Sequence, residues 1–485
     1  MIKLGALDAM FLYNETATTP MHVAGLLYLE VPEAQTESYF DDLRTMLLER
    51  IHLVPYLTSR LELTPMNIDH PVWVRHQKFD IDEHLHRVKL DAPGSVQQCE
   101  ELAARLYEPL MDRSKPLWEI WMIEGLADGQ VALLQKTHHA AIDGMSSIKA
   151  AELLFDFTPQ PRTVDPAPAD YWEQTKPTYG RLLQAAYANL NRYWWEGVQR
   201  IPELTRASTR LSRQLIGNPG QEAMPVNGPK TRFNRSIDEK RAFRMVNMSL
   251  PTLKAVAKKS GVKINDVMLA ICGEGVSQYL ERHGEKLDRS LVASCPVSLH
   301  KPGDETIRNQ VSAINISMKN EIADLRERLQ AIHRSANSAK ETLANMGDAM
   351  PTDFGGFGLP LAFQAMARSM ESGIFADFAR QVPMNLVLSN VPGFPVPLYV
   401  AGGKLLRQMP MSIVVHGSAI NLTVTSYVDR MDLGITAASK RVPDIDALSQ
   451  DLQAAYEQLV ETVLGSPEAD AEQPADYEEF AVAAA

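Results

Sequence analysis

Residues 137–144 read Thr-His-His-Ala-Ala-Ile-Asp-Gly, and this stretch decides how the rest of the chain is interpreted. The mostly apolar residues 131–135 before it predict a short strand, and residues 145–155 after it predict a helix. The block therefore lies on a strand-to-helix connection, where functional side chains are commonly held by a rigid scaffold.

The residue types in this block point to proton-transfer chemistry. His138 and His139 are candidate bases, because histidine changes protonation near neutral pH and can take a proton from a hydroxyl or a thiol. Asp143 either orients an imidazole or holds the turn by a local salt bridge, and Gly144 permits a sharp backbone bend. Two other readings stay open: structural histidines, or a metal site, for which no nearby ligand completes a familiar spacing.

Length, charge and cysteine content bound the class of protein. With 485 residues the chain can form two domains with substantial cores. The formal net charge of -12 argues against a general nucleic-acid binder, since a phosphate polymer would be repelled. Cys99, Cys272 and Cys295 are scattered and form no CxxC pair, which indicates a reducing compartment and no disulfide framework.

The sequence shows neither a secretory signal nor a membrane-spanning run. Asp8 interrupts the early apolar stretch, and no uninterrupted apolar run reaches the roughly 18 residues of a transmembrane helix. We therefore expect a cytoplasmic protein whose membrane contact, where there is one, is peripheral.

Residues 1–155 are predicted to form a first unit. Residues 117–124 and 131–136, joined by the turn 126–129, read as a hairpin that delivers the histidine block. Upstream, residues 80–86 form a dense polar cluster with two histidines and three carboxylates. A metal site is one interpretation, but alternation and exposure explain the cluster more simply, and we favour a structural role.

Residues 156–230 are predicted to be a linker. Five prolines between residues 159 and 177 indicate an extended start, and two helices are expected over 179–216, stopped by Gly217. Their aromatic and arginine-rich faces are candidates for contact with a membrane or lipid surface. The alternative, which we favour, is that the apolar stripe packs on the two domains as a bridge.

Residues 231–465 are predicted to form a second unit, followed by an acidic, disordered tail at 466–485. Asn265 is expected to be the N-cap of a helix over 266–281. A run of strands is expected at residues 385–391, 404–408, 412–416, 420–427 and 431–437, before a closing helix at 444–463.

Several short motifs accompany the histidine block in a fixed order along the chain. They are Leu7-Asp8-Ala9-Met10-Phe11-Leu12, Pro20-Met21-His22-Val23, Pro116-Leu117-Trp118, Asn265-Asp266 within residues 265–270, and Ser389-Asn390-Val391-Pro392-Gly393. With the HHxxxDG pattern of residues 138–144, this set resembles the bacterial wax ester synthase/diacylglycerol acyltransferase family, within the CoA-dependent acyltransferase superfamily. The resemblance covers nearly the whole chain.

The resemblance implies an α/β fold of two chloramphenicol-acetyltransferase-like halves. Each half would be a mixed sheet with helices, the halves would be joined by the helical linker, and the active site would lie at their interface.

The resemblance also implies roles for individual residues. His139 would accept the proton of an acceptor hydroxyl, and Asp143 would orient the site or brace its loop, whereas His138 receives no defined role. Gly144, Asn265 and Asp266 are expected to support the site. The motif Pro116-Leu117-Trp118 is expected to be structural. Neither a metal nor a cofactor is expected, because acyl-CoA enters as a substrate.

The activity implied is the transfer of a long-chain acyl group from acyl-CoA to a fatty alcohol or to diacylglycerol. One alternative keeps the chemistry with a smaller alcohol or an amine as acceptor. Another is a non-catalytic protein of the lipid-body surface on the same fold. The expected location is cytoplasmic, with peripheral association at the inner membrane or lipid bodies as a further expectation.

Overall fold

A computed structural model describes residues 2–173, 176–192, 227–298, 311–346 and 382–465, together with residues 195, 198–199, 202, 365 and 376–377. The predicted tail at 466–485 lies outside the described residues, and so does most of the second linker helix.

The strands are β1 (Ile2–Lys3), β2 (His22–Glu30), β3 (Ser59–Glu62), β4 (Val72–Arg75), β5 (Leu85–Lys89), β6 (Trp118–Glu124), β7 (Val131–His138), β8 (Arg241–Ser249), β9 (Val292–Ser298), β10 (Val311–Ser317), β11 (Leu386–Val391), β12 (Tyr399–Val400), β13 (Gly403–Met411), β14 (Ile420–Tyr427) and β15 (Arg430–Ala438). The helices are α1 (Ala6–Asn14), α2 (Tyr39–Arg50), α3 (Val96–Tyr107), α4 (Gly144–Leu154), α5 (Leu250–Ser260), α6 (Ile264–Arg282), α7 (Leu325–Met346) and α8 (Ile445–Leu464). Residues 179–192 are also helical.

Two six-stranded mixed sheets form the framework. The first sheet has the order β12-β13-β2-β7-β6-β5, in which only the β5–β6 pair is parallel. The second has the order β10-β9-β11-β14-β15-β8, in which β11 runs parallel to both β9 and β14. The expected α/β fold of two halves, each with a mixed sheet and helices, is confirmed.

Membership of the two sheets does not follow the predicted boundary between the two units of the chain. The adjacent strands β12 and β13 follow the start of the predicted second unit, yet both lie in the first sheet, where β13 pairs with β2. Gly434 of β15 packs against this crossing strand: a side-chain carbon there would lie 1.9 Å from the carbonyl oxygen of Pro410. The domain boundary at residue 231 stays a prediction, and strands β12 and β13, which follow it in the chain, belong to the first sheet.

Local sequence signals set both ends of α5. Helix α5 carries Pro251 in its first turn and stops at Gly261, whose φ of 65° is the left-handed conformation that glycine adopts readily. The predicted strand at 412–416 is wrong: only Val415 makes a bridge there, to Ser418, and a turn intervenes. None of the helices in the described ranges combines the length and the apolar character needed to cross a bilayer.

Candidate active site

The strand–turn–helix connection predicted from residues 131–155 is present. Strand β7 runs on to His138, and α4 begins at Gly144. Asp143 is the N-cap of α4, and its Oδ1 accepts a hydrogen bond of 2.7 Å from the backbone N–H of Ser146. Because this contact satisfies one of the helix's unpaired N–H groups, Asp143 fixes the start of α4.

His139 lines a cavity and is half-buried. Its backbone N–H donates to the carbonyl oxygen of Met21 at 2.8 Å. Its ring stacks on Phe11 of α1, with centroids 4.0 Å apart and planes inclined by 12°. These contacts restrain both the backbone and the ring plane of His139.

His138 is fully buried and belongs to a different environment. Its Nδ1 accepts a hydrogen bond of 3.0 Å from the backbone N–H of Ala140, and its Nε2 lies 3.2 Å from Oε1 of Glu15. The backbone N–H of Ala141 donates to the His138 carbonyl at 2.9 Å, which closes the turn. The two adjacent histidines therefore have separate surroundings, and only His139 lies on the cavity lining.

Glu15 follows α1 directly, and its side chain is almost wholly buried. Burial alone would raise the pKa of its carboxyl, but the contacts with His138 and Arg113 outweigh burial and lower the pKa to about 2. Arg113 Nη2 donates to Glu15 Oε2 at 2.8 Å. No role was predicted for Phe11 or Glu15, and their spacing of four residues at the end of α1 places them on one face of that helix.

A second buried layer supports the strands beside the histidines. His22 of β2 is fully buried, its ring nitrogen Nε2 bonds to the carbonyl oxygen of Tyr107, and burial lowers its pKa well below the usual value. Lys136 Nζ donates to the carbonyl of Pro109 at 2.6 Å, and burial lowers its pKa as well. These contacts satisfy carbonyl groups at and beyond the C-terminal end of α3.

The structure gives a reason for glycine at position 144 that differs from the predicted backbone bend. It is the first residue of α4 and does not have a positive φ. A side-chain carbon at this position would lie 3.1 Å from Cγ2 of Val391, at the end of β11. Glycine at this position thus allows a close approach between α4 and the second sheet, and no sharp bend depends on it.

The Asn-Asp motif lies inside a helix rather than at its cap. The N-cap of α6 is Lys263, so the prediction that Asn265 caps the helix is wrong. The carboxylate of Asp266 accepts from the backbone N–H of Lys263 at 2.9 Å and from His333 at 2.6 Å, and this contact to Lys263 makes the actual cap. Asn265 Oδ1 accepts from Nδ2 of Asn390, and Asn390 is the one of this pair that lines the cavity.

The Pro116-Leu117-Trp118 motif leads into β6, beside the end of β7. The carbonyl of Leu117 accepts from the backbone N–H of His138 at 3.0 Å. Trp118 is buried, its Nε1–H donates to the carbonyl of Leu57 at 2.8 Å, and its ring stacks on His84. Trp118 also lines the cavity, so it contributes to the site's wall as well as to the core.

The polar cluster at 80–86 has structural partners. Asp82 receives two hydrogen bonds from Arg44, at 2.8 and 3.0 Å, and His84 Nδ1 lies 2.8 Å from the carbonyl of Trp118. In the part of the chain that the structure describes, no group of three His, Cys, Asp or Glu side chains is arranged to hold a metal ion.

The cavity has a volume of about 760 Å³ and is lined from both sheets. Its apolar lining includes Leu27, Leu47, Leu57, Ile148, Ala151, Leu154 and Phe155 from the first half, and Val387, Val391, Phe394, Met411 and Ile413 from the second. Its polar lining also comes from both halves, with Gln135, Thr137 and Ser147 from the first, and Ser389, Asn390, Gln408, Asn421, Thr423 and Thr425 from the second. His139, Asp143 and Gly144 belong to the same lining, which places the predicted block at the junction of the halves.

The linker helix at 179–192 buries one face and exposes another. Leu182 and Ala186 are buried, and Leu182 packs with Val72 and Val74 of β4. Tyr179 and Tyr187, eight residues apart, are 65% and 66% exposed. The helix therefore packs on the first half and exposes Tyr179 and Tyr187, while the interpretation of the linker as a bridge between both halves stays a prediction.

Sequence comparison identifies two conserved domain types along the chain. The wax ester synthase/diacylglycerol acyltransferase catalytic domain matches residues 4–268, and the WS/DGAT C-terminal domain matches residues 308–460. A Mycobacterium tuberculosis protein that carries a diacylglycerol O-acyltransferase name is 30% identical over 472 residues, which is 96% of this chain and 92% of that protein.

Solved structures share the architecture. The wax ester synthase/diacylglycerol acyltransferase from Marinobacter aquaeolei VT8 is 24% identical, with a TM-score of 0.67 over 95% of this chain and 98% of that one. The starter condensation domain of rhizomide synthetase, solved with C8-CoA and Leu-SNAC, is 12% identical, with a TM-score of 0.56 over 96% and 94% of the two chains. At these sequence identities, both structures show a shared fold and no more.

Proposed function

The chain belongs to the wax ester synthase/diacylglycerol acyltransferase family, and from this membership we propose that it moves a long-chain acyl group from acyl-CoA to the hydroxyl of a fatty alcohol or a diacylglycerol. The observation that carries the proposal is the cavity between the sheets, whose lining joins His139 to an extensive apolar wall. A cavity of about 760 Å³ lies within the roughly 300–1,000 Å³ typical of ligand sites.

The apolar wall supports a long acyl chain as the transferred group. Each methylene that leaves water contributes about 0.8 kcal/mol to binding. The wall is built by α4, α2 and the segment around Leu57, all of which also form the core of the first half. A long hydrocarbon chain would bury many methylenes against this wall, whereas an acetyl group has none to bury.

In the proposed reaction His139 takes the proton of the acceptor hydroxyl as its oxygen attacks the thioester carbonyl. A new C–O bond forms, the C–S bond breaks, and the CoA thiolate collects the proton from the imidazolium. The stacked Phe11 ring and the bond from the His139 N–H to Met21 limit the orientations of the imidazole. Such restraint is what a direct transfer between two bound substrates needs.

Asp143 and the asparagines have supporting roles in this proposal. Asp143 holds the start of α4 and thereby the turn that bears His139. Developing charge on the carbonyl oxygen needs oriented donors. We assign polar support of the reacting groups to Asn390, which lines the cavity and is held by Asn265, and not to Asn265 itself. The proposed steps use no metal or cofactor, because the thioester is already an activated acyl donor.

The test uses purified protein with palmitoyl-CoA, and hexadecanol or diacylglycerol as separate acceptors. We expect thiol release that depends on an acceptor, with a wax ester or a triacylglycerol identified as the lipid product. Turnover only with a short alcohol or an amine would favour the alternative acceptor class. An absence of turnover with every acceptor would contradict the proposal and favour a non-catalytic lipid-surface role.

Both proposed acceptors reside in lipid phases, so we also propose that the exposed stripe on the helix at 179–192 contacts a lipid surface. Tyr179, Leu183 and Tyr187 recur every four residues and are exposed. Flotation with liposomes of anionic phospholipid and diacylglycerol should weaken in the Tyr179→Ser/Tyr187→Ser variant. It should be unchanged in Gln184→Ser, an exposed position beside the stripe. Equal flotation of both variants would remove this assignment.

A further inference from the structure

The buried contact between Glu15 and His138 takes no part in the reaction proposed above. We propose that Glu15 is a positioning residue for His139, acting through His138 and through the backbone of Met21. This inference rests on the proposed role of His139 and concerns the parts of the fold that hold it.

The first connection runs through the imidazole of His138. The backbone N–H of Ala140 donates to its Nδ1, so Nδ1 carries no proton and the ring proton is on Nε2. Nε2 lies 3.2 Å from Glu15 Oε1, which is the atom that favours this tautomer. Because Ala140 follows His139 directly, the tautomer chosen by Glu15 fixes the backbone on the C-terminal side of His139.

The second connection runs through Met21. Its backbone N–H donates to Glu15 Oε1 at 3.3 Å, and its carbonyl accepts the N–H of His139 at 2.8 Å. One carboxylate oxygen of Glu15 therefore lies next to both groups that hold the His139 backbone, His138 on β7 and Met21 before β2.

Helix α1 and its C-cap provide the side chains that contact both histidine rings. Phe11 lies in α1 and Glu15 follows it four residues later, at the C-cap. Residues four apart lie on the same helix face. Phe11 stacks on the ring of His139 while Glu15 contacts the ring of His138, so one short rigid element sets the plane of the first ring and the tautomer of the second.

The proposal also includes an electrostatic effect of Glu15 on His139. Arg113 bonds to Glu15, and the buried groups His22 and Lys136 lie close enough to interact with it electrostatically. The contacts with His138 and Arg113 are the ones that keep the carboxylate ionised. A fixed negative charge near His139 favours the imidazolium. Removal of the Glu15 charge should therefore make the His139 imidazolium easier to deprotonate.

The kinetic test compares Glu15→Gln, His138→Asn, His138→Leu and the Glu15→Gln/His138→Leu pair. The control is Asp451→Asn, which removes the charge of another buried carboxylate, paired on helices α6 and α8 with the exposed guanidinium of Arg282. We expect Glu15→Gln to lower kcat by about 10²-fold, the size typical of a misplaced reacting group, with little change in KM. The carbonyl oxygen of asparagine can replace Nδ1, so His138→Asn should retain more activity than His138→Leu.

The double variant decides whether Glu15 acts through His138. We expect Glu15→Gln to cost much less kcat in the His138→Leu background than in the wild type, because the connection is already broken. Fully additive losses, or an unchanged kcat in Glu15→Gln, would overturn the inference. The variant Asp451→Asn should lose stability without a change in kcat.

A second readout does not need turnover. Modification of His139 by diethyl pyrocarbonate, followed by peptide mass spectrometry over a pH series, reports the protonation midpoint of that ring. The midpoint should move to lower pH in Glu15→Gln and stay in place in Asp451→Asn. If the midpoint moves in a protein that shows no acyl transfer, the proposed function fails and the positioning role stands. If the wild type turns over and the midpoint does not move, the positioning role fails.

Discussion

Gly144 and Val391 meet at the junction of the two sheets, where a side-chain carbon on residue 144 would lie 3.1 Å from Cγ2 of Val391. Gly144 starts α4, directly after the turn that bears His139, and Val391 ends β11 of the second sheet. The distance between the histidine turn and the second half of the site therefore depends on the missing side chain of residue 144.

The variant Gly144→Ala should reduce activity by pushing these two elements apart. Overpacking of this kind costs about 1–3 kcal/mol, and we expect kcat/KM to fall about tenfold or more. The double variant Gly144→Ala/Val391→Ala creates room for the added methyl group and should recover much of the loss. Equal kcat/KM in the single and double variants would show that the close approach does not limit the reaction.

Asp143 should contribute to stability through its helix cap. The variant Asp143→Ala removes the oxygen that accepts the Ser146 N–H and should lower the free energy of unfolding by about 1 kcal/mol. Asparagine keeps an acceptor at the same place, so Asp143→Asn should be close to wild type in denaturant unfolding. A large loss of kcat in Asp143→Asn with unchanged stability would instead indicate that the charge of Asp143 acts on the reaction.

The apolar wall should set acyl-chain length. Ala151 of α4 lines the cavity, and Ala151→Phe would fill part of the space beside Leu154 and Phe155. We expect kcat/KM for palmitoyl-CoA to fall at least tenfold, roughly the binding energy of two methylenes, while butyryl-CoA is affected much less. Equal losses with both donors would place the acyl chain elsewhere.

Glu100 should make stability depend on pH. Burial raises the pKa of its carboxyl from 4.5 to about 7, although Arg244 and Arg407 oppose the shift. Between these two values the folded protein binds more protons than the unfolded chain, so the free energy of unfolding should fall as pH rises through this window. Glu100→Gln removes this titration and should be more stable than wild type at pH 8, with a smaller difference at pH 5.

Urea unfolding at several pH values measures this effect. The variant Glu49→Gln, at an exposed position of α2, is the matched control and should follow the wild type throughout. Parallel pH dependences for Glu100→Gln and the wild type would refute the role given to Glu100.

The turn that bears His139 could be predicted from sequence because it depends on the residues immediately before and after it. The strand pattern of residues 131–135 and the helical pattern of residues 145–155 were sufficient to place His139 between β7 and α4, although the capping role of Asp143 was not predicted. The Asn265 cap was misplaced by two residues because the capping carboxylate belongs to Asp266, which reaches back to the N–H of Lys263.

The remaining features depend on contacts between distant segments. Glu15 and His138 are 123 positions apart, and no periodicity in either segment indicates that they meet. Strand β13 lies within the predicted second unit of the chain, but it joins the first sheet by pairing with β2. Such pairings depend on the packing of whole layers, which residue spacing does not encode.

The most direct test of the account is acyl transfer by His139→Ala. The assay follows CoA thiol release from palmitoyl-CoA with hexadecanol, with the ester product quantified and the fold of the variant checked by circular dichroism and thermal unfolding. If His139 is the base, ester formation should fall by about 10²–10⁴-fold while the fold is kept, since this is the usual contribution of a general base. Ester formation at the wild-type rate in a folded His139→Ala protein would contradict the account.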